Sequence, residues 1–172
     1  MSLLRFLGLE RERDRAKGET ATVRAIAARL ERLDPAQARY LAGFAYVLAR
    51  VAHADLEIAA EEADEMRRVV AELADLDPEE TDLVVEIAKS QARMLGGTEN
   101  YVVTREFRAA STREQRARLL ECLYAVAAAD GTISGPESAE IVAIAEELGF
   151  TRAEANAYRS RYRDQIPELR RP

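Results

Sequence analysis

Apolar residues recur along this chain at helical spacing and rarely alternate at strand spacing. Val23, Ile26, Ala27, Leu30 and Leu33 fall on one side of a helix predicted over about residues 21–33. Asp34-Pro35-Ala36-Gln37 then restarts the chain as a helix: Asp34 can cap, Pro35 suits the first helical position, and Gln37 can complete a capping box. That helix runs through Tyr40, Leu41, Phe44, Val47, Leu48 and Val51. It is apolar on more than one side, which predicts a central position. A helix over about residues 60–74 uses Met66, Val69, Val70 and Leu73. Asp77-Pro78-Glu79-Glu80 opens the next, with Leu83, Val84, Ile87, Ala88, Gln91 and Leu95 on related faces and Gly96-Gly97 at its end. A short helix is predicted over residues 101–109. Thr112 to Gln115 caps a helix carrying Leu119, Leu120, Cys122, Leu123 and Val126. Ile141, Ile144, Ala145 and Leu148 pack another that ends near Gly149, and Thr151 to Glu154 caps a last one reaching about residue 163.

Two acidic corners interrupt this pattern at matched places. His53-Ala54-Asp55-Leu56-Glu57-Ile58 and Ala128-Ala129-Asp130-Gly131-Thr132-Ile133 each follow an apolar helix, and each leads to a glutamate, Glu62 or Glu137. Asp and Glu are seven residues apart in both copies, and the copies are 75 residues apart. Each half therefore reads as helix, acidic corner, helix, capped helix. Neither amphipathic set can bury its apolar face alone, so the halves are expected to pack together. The predicted class is all-α: a compact helical bundle of two repeated helix–acidic corner–helix units. An N-terminal helical extension occupies residues 1–33, the bundle 34–163 and a C-terminal tail 164–172.

Composition supports helix over sheet. The 172 residues include eight Gly, five Pro and no Trp, with 6% aromatics; Ala, Leu, Arg and Glu dominate. The net charge of −6 disfavours a general nucleic-acid surface. Near the start, Arg5, Arg11, Arg13, Arg15 and Lys17 alternate with acids, which weakens a phosphate-binding reading of that stretch. Cys122 has no second cysteine to pair with and lies in an apolar run, as a buried thiol does. Such usage fits the cytosol. No apolar run approaches the ~20 residues that span a bilayer. Ser2 to Leu9 is too short and too charged for a signal-peptide core.

The corners carry the only candidate chemistry. Gly131 permits a tight or left-handed turn, Ile133 points back into the core, Ser134 can cap the next helix, and Glu137 lies in its first turn. The carboxylates of Asp130 and Glu137, with the Thr132 carbonyl, are hard oxygen donors suited to Ca²⁺, Mg²⁺ or Mn²⁺. Val126 and Ala128 stand where an EF-hand loop needs its first aspartates, so an ordinary EF-hand is disfavoured. The first corner lacks the glycine and adds Glu57 and Glu61. The competing reading is purely structural: Ser134 with Glu137 is a capping box, Asp130 can satisfy turn amides, and Glu61 and Glu62 suit a positive helix end. His53, the single histidine, reads as a helix-end residue. No Ser/His/Asp order, CxxC pair, HExxH motif or glycine-rich phosphate loop occurs, so an enzyme is disfavoured.

The stretch Ala127-Ala-Ala-Asp-Gly-Thr-Ile-Ser-Gly-Pro-Glu137, with the apolar helix before it and Glu140-Ile141 after it, resembles the TerB-like family of tellurite-resistance and stress-response proteins. Val51-Ala-His-Ala-Asp-Leu-Glu-Ile-Ala-Ala-Glu-Glu62 is similar to that family's first copy. The resemblance runs from about Asp34 to Tyr162. It implies a bundle of two packed helical units and a divalent metal held by Asp55, Glu62, Asp130 and Glu137. Leu56 departs from the glycine expected after the first aspartate.

Together these readings favour a cytoplasmic, non-enzymatic stress-response interaction module whose acidic surface binds divalent cations. The alternatives are a metal-assisted hydrolase using the same carboxylates and a plain helical scaffold. The expected partner is a protein. Leu3, Leu4, Phe6, Leu7 and Leu9 form an apolar patch that can dock on the domain, join subunits, or rest on a membrane surface, the last disfavoured by interspersed acids.

Overall fold

The computed structural model describes residues 17–52, 58–92 and 100–170. The apolar N-terminal patch, His53, Asp55, Leu56, Glu57 and the Gly96-Gly97 pair lie outside them.

Helices form where the capping chemistry and the apolar period coincide. They are α1 (Lys17–Glu31), α2 (Pro35–Val51), α3 (Ala60–Leu73), α4 (Pro78–Ala92), α5 (Asn100–Ala110), α6 (Arg113–Ala127), α7 (Gly135–Glu147) and α8 (Arg152–Arg161), followed by a short 3₁₀ turn, Pro167–Leu169. The Asp34 side chain accepts hydrogen bonds from the amides of Ala36 and Gln37. Asp77 and Glu80 form a reciprocal pair: Glu80 N–H donates to Asp77 Oδ1 (2.8 Å) and Asp77 N–H to Glu80 Oε2 (3.1 Å). Thr112 with Gln115, Ser134 with Glu137 and Thr151 with Glu154 complete capping boxes at the starts of α6, α7 and α8. One expected box is replaced. The Gln37 side chain reaches across to α4 and donates to Glu80 Oε1 at 2.6 Å, so it ties two helix starts together instead of closing its own.

Helix α2 is the central element. Ala38, every residue from Tyr40 to Ala49, and Val51 are buried, and α4, α5, α6 and α7 pack around it. Close approach of α5 requires Gly43, since a Cβ there would meet Phe107 Cδ2 at 2.7 Å. Phe107 in turn stacks on Tyr40 (5.7 Å between centroids) and meets Phe44 edge-on. Helix α3 lies against α4 and α6, and α8 against α7 and α6.

Both flanks of the bundle enter the same core. Ile26 and Leu30 of α1 are buried in it, and α1 packs on α4 and α2. Ile166 is fully buried, and the carbonyl of Gln165 accepts from Ile133 N–H at 2.8 Å. The chain after α8 thus buttresses the second acidic corner. No described helix is long and apolar enough to cross a membrane.

Candidate functional site

The second corner is built as a turn between two helix ends. After α6, Gly131 adopts φ +90°, a conformation that glycine enters without steric cost. Asp130 Oδ1 accepts from Thr132 N–H (2.9 Å), which closes the turn locally. Ile133, with no exposed surface, anchors the corner in the core. Ser134 then caps α7: Glu137 Oε2 accepts from Ser134 N–H (2.8 Å) and Ser134 Oγ (2.7 Å), and Glu137 N–H donates back to Ser134 Oγ (3.3 Å).

Across from it, the start of α3 uses half of the same device. Glu62 Oε2 accepts from Ala59 N–H (2.8 Å), but alanine offers no side chain in return. Described hydrogen bonds therefore engage only one carboxylate oxygen of each of Asp130, Glu137 and Glu62.

A cleft of about 380 Å³ opens between these two places. Its walls come from the ends of α2 and α6 and the starts of α3 and α7. Glu61, Glu62 and Glu65 line one side, Asp130 and Glu137 the other, and among the described residues no basic side chain lines it. Its apolar floor includes Val51, Ile58, Met66 and Ala127, all buried. Two segments 75 positions apart in sequence thus share one concavity, with Glu62, Asp130 and Glu137 on its rim. Asp55, the fourth residue that the resemblance implies, lies outside the described residues. Among the described residues, no group of three potential ligands is already close enough to hold a metal ion.

Glu65 was not legible as a site residue. It sits one turn after Glu62 on the same face of α3, a spacing that any surface helix shows. Its carboxyl is held below the ordinary range by the hydrogen bonds from Arg68 (2.6 and 3.0 Å).

Behind the cleft, Arg50 joins α2 to α7. Its side chain is 5% exposed and pairs with Glu140 (2.5 Å) and Glu147 (2.7 Å), while also donating to Thr104 Oγ1 (2.8 Å). Its two carboxylate partners hold the guanidinium in its charged form despite burial. Arg50 precedes cleft residue Val51, and Glu140 follows Glu137 by one turn, so the clamp fixes one corner's helix relative to the other's.

Among the described residues the chain is an all-helical bundle, with an acidic cleft between the starts of α3 and α7. A family model described as tellurite resistance protein TerB matches residues 41–160, from the central helix to the end of α8. The chain belongs to the TerB family. No curated protein and no solved structure matches it significantly.

Proposed function

We propose that this TerB domain is a non-enzymatic stress-response interaction module whose inter-corner cleft takes up a divalent cation. The observation that carries the reading is the convergence of Glu62, Asp130 and Glu137, with Glu61 and Glu65, on one cleft that no basic side chain lines among the described residues. Carboxylates gathered this way repel one another, and a hard cation relieves the repulsion. The donor set is all oxygen and fits Ca²⁺, Mg²⁺ or Mn²⁺ rather than a soft metal. Asp130 and Glu137 would hold the ion through the carboxylate oxygens their turn and cap leave unused, with Glu62, and Asp55 from the first corner, completing the shell. Side-chain rotation at exposed positions is the adjustment this requires, and the buried Ile133 keeps the backbone of the second corner in place.

Ion uptake would change the charge and the side-chain arrangement of the cleft rim, which gives a protein partner two states to distinguish. Calorimetry with Mn²⁺, Ca²⁺ and Mg²⁺ tests the cation step. The wild-type protein is expected to bind one of them with a single-site isotherm, and Glu137→Gln to weaken that binding about tenfold, equivalent to about 1.4 kcal/mol. Glutamine can still serve a capping box, so the variant removes charge while keeping the helix start. The absence of heat with all three ions at millimolar concentration would end the cation reading.

A further inference from the structure

At the opposite end of α6 and α7 from the acidic cleft, the electrostatics reverse. Three arginines meet around the turn that joins α7 to α8. Arg108, from the last turn of α5, lies against Gly149: a Cβ on that glycine would stand 2.8 Å from the guanidinium carbon. Gly149 adopts φ +89°, so the turn itself calls for the residue that leaves this space. Arg113, in the first turn of α6, stacks over the Phe150 ring at 4.7 Å and pairs with Glu154. Arg116, one turn on, donates from Nη1 to the carbonyl of Arg108 at 3.0 Å, while its buried Nε has no acceptor.

Charge is left over at this place. Glu154 answers Arg113, and the nearby Glu146 is held by Arg152. Arg108 and Arg116 have no carboxylate partner among the described residues. Desolvation and the two neighbouring guanidinium groups make Arg116 less favourable in its charged form, an unusual condition for an arginine in a protein of net charge −6. Arg108 presents a planar fork of N–H donors, and Arg116 adds a second uncompensated positive charge beside it, for a ligand carrying several acceptor oxygens and about two negative charges.

We propose that Arg108 and Arg116, flanked by Arg113, form a binding site for a phosphate-class oxyanion at the α7–α8 turn. The site is independent of the cleft and separated from it by the length of α6, about 20 Å for 15 residues at helical rise. The same chemistry can be delivered by a soluble phosphate compound or by a phosphomonoester lipid headgroup.

Calorimetry of the full chain with pyrophosphate, at fixed low ionic strength, is the first arm of the test. Co-sedimentation with vesicles containing phosphatidate is the second. Arg108→Gln is the decisive variant, because the Arg108 side chain makes no hydrogen bond or ion pair among the described residues and its loss leaves the fold standing. Binding in either arm that falls at least about tenfold in Arg108→Gln, persists in Asp130→Asn and weakens with added salt supports the site. Which arm responds identifies the source of the phosphate. Arg108→Lys is expected to fall between wild type and Arg108→Gln, since it keeps the charge and loses the fork. No binding in either arm, or binding undiminished in Arg108→Gln, overturns the proposal.

Discussion

At the residue scale, capping and ligation compete for the same carboxylates, and substitutions can separate the two. Ser134→Ala removes the cap hydroxyl of α7 and is expected to cost about 1 kcal/mol in chemical denaturation while leaving cation affinity unchanged. Asp130→Asn is expected to do the reverse, weakening Mn²⁺ or Ca²⁺ more than Asp55→Asn does. Gly131 turns the second corner with φ +90°, whereas Leu56 stands at the matching place in the first. Equal or reversed losses in folded variants would count against the glycine argument. Buried protons give a further residue-scale expectation. Desolvation raises Cys122 from 9.0 to about 12, and Tyr40 and Tyr124 from 10.0 to about 12. The folded state keeps these protons where the unfolded chain loses them. Their contribution is therefore whole below pH 9 and is lost as pH rises from about 9 towards 12. Melting curves should show stability falling across that window, and native Cys122 should resist thiol reagents at pH 8. The buried thiol was legible from its apolar run. The exchange of Gln37 from its own box to Glu80 was not, because it depends on how close the starts of α2 and α4 come in space.

At the scale of elements, the sequence carries helix identity through two local signals, the 3.6-residue apolar period and the N-cap. Helices α2, α6, α7 and α8 begin where Asp34, Thr112, Ser134 and Thr151 place them. Pairing of helices is a non-local matter, and only its coarsest feature could be read: a helix apolar on several sides, α2, is central. The Arg50 clamp shows what escapes. An arginine at the end of an apolar helix looks like a C-terminal dipole partner, yet its ion pairs reach residues 90 and 97 positions away. Arg50→Met should cost about 2–3 kcal/mol by denaturation, somewhat less than for a fully buried pair, because Glu140 and Glu147 keep some access to water. Gly43→Ala should cost about 1–3 kcal/mol, since the new methyl meets the Phe107 ring.

At the scale of the whole molecule, α6 and α7 run between an acidic cleft at one end and an arginine cluster at the other. This polarity was not legible from net charge, which reports only the surplus of acids, nor from the corners alone. The repeated spacing of Asp and Glu made a site shared by the two corners geometrically possible; of those four residues, Glu62, Asp130 and Glu137 line one cleft, and Asp55 lies outside the described residues. What spacing could not supply was the third dimension: Glu65, the apolar floor and the clamp behind it all arise from packing. Paramagnetic broadening by Mn²⁺ reports whether this cleft receives a divalent cation. Methyl resonances of Ile58, Met66 and Val126, which line the cleft, should broaden first at substoichiometric Mn²⁺, while those of Ile26 and Leu30 in α1 stay sharp, and Glu137→Gln should need about tenfold more Mn²⁺ for the same broadening. Uniform broadening, broadening centred elsewhere, or none at all would contradict the claim.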